Sequence, residues 1–157
     1  MRFVLPFFLL FFAALAQQPD ALEPEELQAG ETVHHAYNQR MRAFICYGEN
    51  TVYVSGHSNV IIILGACKSV VVNGSHNRIR IDGPCQSLVL NGDRNGVDVQ
   101  AADAVSLNGN LNHCRWRAGI SEPKPKPRAH GRNNLLERYE KKANSAPWGF
   151  YAAPPTR

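Results

Sequence analysis

A two-sided parallel β-solenoid is the fold this sequence predicts, on three observations. A glycine returns every nine residues at Gly56, Gly65, Gly74, Gly83 and Gly92, with Gly48 and Gly109 at the ends where a unit is one residue short. The last three residues of each unit alternate apolar, variable, apolar: Ile61/Ile63, Val70/Val72, Ile79/Ile81, Leu88/Leu90, Val97/Val99 and Val105/Leu107. Asparagine recurs at twice the unit, at Asn59, Asn77 and Asn95, and again at Asn112 after the short unit. A fixed period of this kind is read before any local feature, because each unit buries its apolar face only against its neighbours.

Each element follows from these spacings. Period two with β-branched residues is a short strand with one face inward. Glycine with Asn, Asp or Ser at the start of most units turns the chain, since glycine accepts positive φ without steric cost. Two units then make one 18-residue rung, and rungs stack about 4.8 Å apart. A three-sided coil of six-residue units would place Val54, Val60, Ala66, Val72 and then Arg78 inward, and a dry core rejects the last. The repeats from Tyr47 to Trp116 predict about four rungs. The asparagines at one corner of successive rungs can tolerate left-handed backbone angles and hydrogen-bond along the stack.

The ends divide the chain further. Residues 1–16 read as a secretory leader: Arg2 is followed by the apolar run Phe3 to Phe12 and by Ala14-Leu15-Ala16, a small-x-small cleavage pattern. That run is shorter than the roughly 20 residues a membrane span needs and is broken by Pro6. Residues 17–46 are expected to be a lead-in and cap, 47–116 the repeat domain, and 117–157 a proline-rich basic linker, short helix and aromatic tail. Asn134 with Glu137 three places on resembles a capping box, and Leu135, Leu136, Tyr139 and Ala143 give a partial apolar face. Residues 17–118 hold eight Lys/Arg against ten Asp/Glu, whereas 119–157 hold eight against three, so the basic character belongs to the tail. No aromatic interleaving tracks those charges as a nucleic-acid groove requires.

The pattern G-x-x-N-x-[VI]-x-[VI] alternating with G-x-C-x-[SL]-[VL]-x-[VL] resembles the secreted bacterial proteins grouped as domain of unknown function 3060. The resemblance rests on Gly65-Ala66-Cys67, Gly83-Pro84-Cys85 and the asparagine series, and covers Tyr47 to Trp116. It implies an exported β-solenoid with no known activity. Some members look like lipoproteins; this chain has no cysteine after the cleavage pattern, so membrane attachment does not carry over.

Candidate sites were weighed against this frame. Cys67 and Cys85 occupy the same position one rung apart, within disulfide reach in an oxidising compartment, and are expected to pair. Cys114 reads as a small core residue. His57, His76 and His113 fall at three different places in the unit, and no nucleophile elbow or phosphate loop is present. Asp82 and Asp98 do not share a position, and the doubled glycines and aspartate series of a calcium-binding roll are missing. No catalytic, cofactor or metal residues are therefore assigned, and no cofactor is expected. Outward positions divide into a charged face (Ile62, Arg80, Asp98, Arg115) and an apolar one, Tyr53, Val71 and Val89, ending in Ser106. The apolar face, with Trp148, Phe150 and Tyr151 of the tail, is the candidate interaction surface, and it is expected to be covered, by the tail helix in the monomer or by a partner. The functional expectation is a secreted or periplasmic, non-catalytic structural or interaction module of the cell envelope, with an envelope protein or anionic polysaccharide as partner and no specific nucleic acid or transmembrane span. The alternatives are a small glycan-active or glycan-binding protein and a binder of anionic envelope polymers through the basic tail.

Overall fold

A computed structural model of the chain describes residues 22–139. They form strands and turns only: β1 (Glu25–Glu26), β2 (Thr32–Ala36), β3 (Met41–Tyr47), β4 (Thr51–His57), β5 (Val60–Ser75), β6 (Arg78–Asn91), β7 (Gly96–Asn108), β8 (His113–Gly119), β9 (Lys126–His130) and β10 (Leu135–Arg138). Every pairing is parallel. The strands wind into two facing layers, and β5, β6 and β7 each pass from the first layer through a corner into the second. This is a β-solenoid of about six turns, not four.

The core is a set of columns. In the first layer Ile61, Ile79, Val97 and Cys114 stack in register, as do Ile63, Ile81 and Val99; in the second, Val52, Val70, Leu88 and Val105 form one column and Val54, Val72, Leu90 and Leu107 the next. All of them are buried. Each contributes on the order of 1.5–3 kcal/mol on burial, offset by the entropy of ordering the chain. Ile79→Asp is therefore expected to abolish soluble folding by placing an unpaired carboxylate between the layers, while Arg80→Ser, one residue on and facing outward, should shift the urea midpoint only slightly. Equal tolerance at the two positions would contradict the inward assignment.

The solenoid extends beyond Tyr47 to Trp116 at both ends. The stretch taken as a lead-in and cap supplies rungs of its own: β1 pairs with β3, and β2 with β4. The proline-rich linker contains β9, which pairs with β7 with Pro127 opposite Val105. Proline is tolerated there because β9 is an edge strand. The helix expected after Asn134 is instead β10, in register with β8. Leu136 falls opposite Cys114 and packs on the core, so pairing with an existing strand outweighs a weak helical pattern of a few residues. Ala143 lies outside the described residues. The fifth rung is shorter because its corner lacks one residue, which appears as a register shift between Ile81 and Pro84.

The cysteines correct a second expectation. Cys67 and Cys85 are in register as the repeat requires, yet Cys67 is joined to Cys46, with Cα atoms 5.5 Å apart. Cys46 stands opposite Gly65, where a Cβ would overlap the Cys46 carbonyl oxygen, so the glycine lets these two rungs approach. Cys67 can form only one such bond, and Cys85 stays a buried thiol, as does Cys114. Burial pushes the Cys85 thiol up to about 12. A non-reducing peptide map should join Cys46 to Cys67, while Cys85 and Cys114 resist alkylation at pH 8 until the protein is unfolded. Reducing the bond should cost about 3 kcal/mol of stability in the chain-entropy model. Recovery of a Cys67–Cys85 peptide would contradict this assignment.

Candidate interaction surfaces

Three surfaces are built by the rungs: a corner lined with amides, a charged outer layer and a less polar one. At the amide corner the motif G-x-x-N closes each turn. In each copy the residue before the asparagine takes the left-handed conformation: Ser58, His76, Arg94 and Leu111 have φ between 56° and 58°. The asparagine that follows does not use the left-handed angle it could tolerate, and its amide bonds between rungs. Asn77 Oδ1 accepts from the Asn59 backbone N–H (3.0 Å) and side-chain amide (3.1 Å). Asn77 Nδ2 donates to the Gly56 carbonyl (2.9 Å) and to Asn95 Oδ1 (3.1 Å). Asn95 and Asn112 repeat the arrangement, and all four asparagines are buried.

The column continues to Asn134, whose Oδ1 accepts from the Asn112 N–H (3.0 Å) and whose amide donates to the Gly109 carbonyl (2.8 Å). Asn134, expected as a helix cap, instead closes Gly131-Arg132-Asn133-Asn134, a further copy of the corner motif that is visible in the sequence. A second amide column, Asn73, Asn91 and Asn108, lies outside the expected pattern; its members bond in sequence at 2.8 Å.

On the outer face of the first layer Ile62, Arg80, Asp98, Arg115 and Glu137 stand in register. Arg115 grips Asp98 with two bonds, Nε to Oδ1 at 2.6 Å and Nη2 to Oδ2 at 2.7 Å. This hydrogen bonding holds the Arg115 guanidinium above its ordinary range. Arg80 turns along its own strand to Asp82, with Nε to Oδ1 and Nη2 to Oδ2 both at 2.8 Å. His113 meets Glu137 at 2.8 Å, and Arg115 lies over the Tyr139 ring, 5.8 Å from its centroid. Asp82 belongs to β6 and Asp98 to β7, and each is clamped by a guanidinium.

The outer column of the second layer reads His34, Tyr53, Val71, Val89, Ser106 and Arg128. Tyr53, Val71 and Val89 are half-buried, and the His34 ring stacks on Tyr53 with centroids 4.8 Å apart. The apolar stretch is thus three rungs long and closed by polar residues at either end. The expected tail helix does not cover it. Leu135 and Leu136 are in β10 on the first layer, and Tyr139 lies beside Arg115 there. Trp148, Phe150 and Tyr151 fall outside the described residues.

His57, His76 and His113 occupy different places in the rung and form no shared column. No cluster of three or more potential metal ligands occurs among the described residues, and no described helix is long and apolar enough to cross a membrane.

A stacked rung, a G-x-x-N corner and a cysteine-bearing corner are together the pattern that resembled a family of secreted repeat proteins. Residues 72–133 match that family's model. Its description is Protein of unknown function (DUF3060). The matched stretch runs from the third rung through β9, past Trp116, and so includes the region first read as linker. No curated protein and no solved structure matches the chain.

Proposed function

We propose that this protein is an exported, non-catalytic β-solenoid serving as a rigid structural or interaction module of the bacterial cell envelope. The observation that carries this reading is the use of its polar groups: the corner amides bond rung to rung, and the acidic groups of the charged face are held by its own cations. Such a face presents a fixed pattern of shape and charge rather than a poised acid or base. The Cys46–Cys67 disulfide fits an oxidising compartment. The test is fractionation of cells producing the full-length chain, with the thiol state read in each fraction and a polysaccharide panel assayed for turnover. The reading expects the protein outside the cytoplasm with Cys46 and Cys67 joined, and no turnover. Cytoplasmic protein with four free thiols, or turnover lost on Asp98→Asn, would contradict it.

A second reading, binding of anionic envelope polymers, is supported by Lys124, Lys126 and Arg128, all exposed at the C-terminal end. Neutralising the three should then abolish retention on an anionic polysaccharide column while leaving the fold intact.

A further inference from the structure

The two ends of the solenoid are open β edges of opposite charge. At the first rung β1 pairs only with β3 and β2 only with β4; at the last, β9 pairs only with β7 and β10 only with β8, among the described residues. All five residues of β9 are exposed. An open parallel edge is a template for another strand. Residues 22–39 carry Glu23, Glu25, Glu26 and Glu31 with no lysine or arginine, whereas 117–139 carry six Lys/Arg against Glu122 and Glu137. The rung geometry is intact at the last corner: Gly131 keeps a φ of 111°, and Asn134 takes the bonds its predecessors take.

We propose that copies of this chain associate head to tail, the acidic first rung of one copy seated on the basic last rung of another. The register supplies the detail. One column runs Glu25, Phe44, Ile63, Ile81, Val99, Trp116, Arg138, so continuing it places Glu25 of the second copy against Arg138 of the first. A second column runs from Thr32 to Lys126, which puts Glu31, the residue before Thr32, near the line of Lys126 at two strand spacings, about 9.6 Å, within the reach of the two long side chains. In the second layer the chain ends half a rung earlier, leaving a gap one strand wide between β9 and the incoming β2. Like charges oppose head-to-head and tail-to-tail contacts, and a head-to-tail contact that advances along the solenoid axis builds an open filament rather than a closed ring. The inference does not depend on export, so its failure would leave the proposed function standing.

Sedimentation of the purified full chain tests it. Mass should grow with concentration at about 0.01 M salt, and the midpoint should move at least about tenfold higher at about 1 M, where the Debye length falls to about 3 Å. Glu25→Lys with Glu31→Lys should leave the protein monomeric, as should Lys126→Glu with Arg138→Glu. An equimolar mixture of the two variants, and the chain carrying all four changes, should associate again, which also shows that the variants are folded. Monomers at every salt and concentration, or association indifferent to the reversals, would overturn the proposal. So would a chain that assembles only after Trp148→Ser and Phe150→Ser, since its edge would then be covered by its own tail.

Discussion

Gly74→Ala is expected to destabilise the protein by more than about 4 kcal/mol, enough to remove most soluble material. Gly74 has a φ of 134°, and a Cβ built on it would overlap the Gly56 carbonyl oxygen of the preceding rung. Backbone strain alone at such an angle costs on the order of 1–3 kcal/mol. The overlap adds more, because the obstacle is backbone fixed by the ladder rather than the end of a flexible side chain. Gly48→Ala is the control: its φ is 105°, yet nothing lies within 4 Å of the added carbon, so it bears the strain without the collision. Urea midpoints of the two variants should therefore separate clearly. Similar midpoints would mean that rungs do not approach as closely at the Gly74 corner as the structure has them.

Asn77→Ala is the second large effect. The substitution leaves the Asn59 backbone N–H and the Gly56 carbonyl without the partners they have in a buried corner. Each buried polar group left unsatisfied costs about 1–3 kcal/mol, so a loss of about 2–6 kcal/mol is expected. Asn77→Asp keeps an acceptor for Asn59 but sets a buried carboxylate oxygen against the Gly56 carbonyl and Asn95 Oδ1, and should be at least as damaging as alanine. Asn110→Ala removes the acceptor for the Arg132 N–H at an exposed site and should be nearly silent, because water replaces the amide. Chemical denaturation of the four proteins orders them directly.

How far the sequence announces these features depends on how regular each rung is. Ile79, Arg80 and Ile81 alternate cleanly, and their facing could be read without coordinates. The corner asparagines were equally visible, since a period of 18 has few other physical causes. The first corner was hidden because it uses other residues: Tyr37 supplies the carbonyl that Asn59 Nδ2 bonds, Gln39 takes the left-handed angle at 54°, and Arg40 sits where asparagine otherwise does. The last corner kept its motif, but 22 residues separate Asn112 from Asn134, and prolines within that span read as linker. At Leu135–Arg138 four residues are too few to separate a period of two from one of 3.6, and only the neighbouring strand decides. The disulfide was not legible: Cys46 and Cys85 both lie one rung from Cys67, and the repeat pattern marks Cys85, whereas the bond is made with Cys46.

That the corners are hydrogen-bonded framework rather than loop is the central claim, and native-state hydrogen exchange at Asn59, Asn77 and Asn95 tests it most directly. Their backbone N–H groups each donate at 3.0 Å to the side-chain oxygen of the next asparagine. Exchange at these three amides should be slowed to within about tenfold of that at the buried strand residues Ile61, Ile79 and Val97, since all would open only with the cooperative unit. Exchange at the rate of an unprotected turn at these amides, with the strands still protected, would contradict the account.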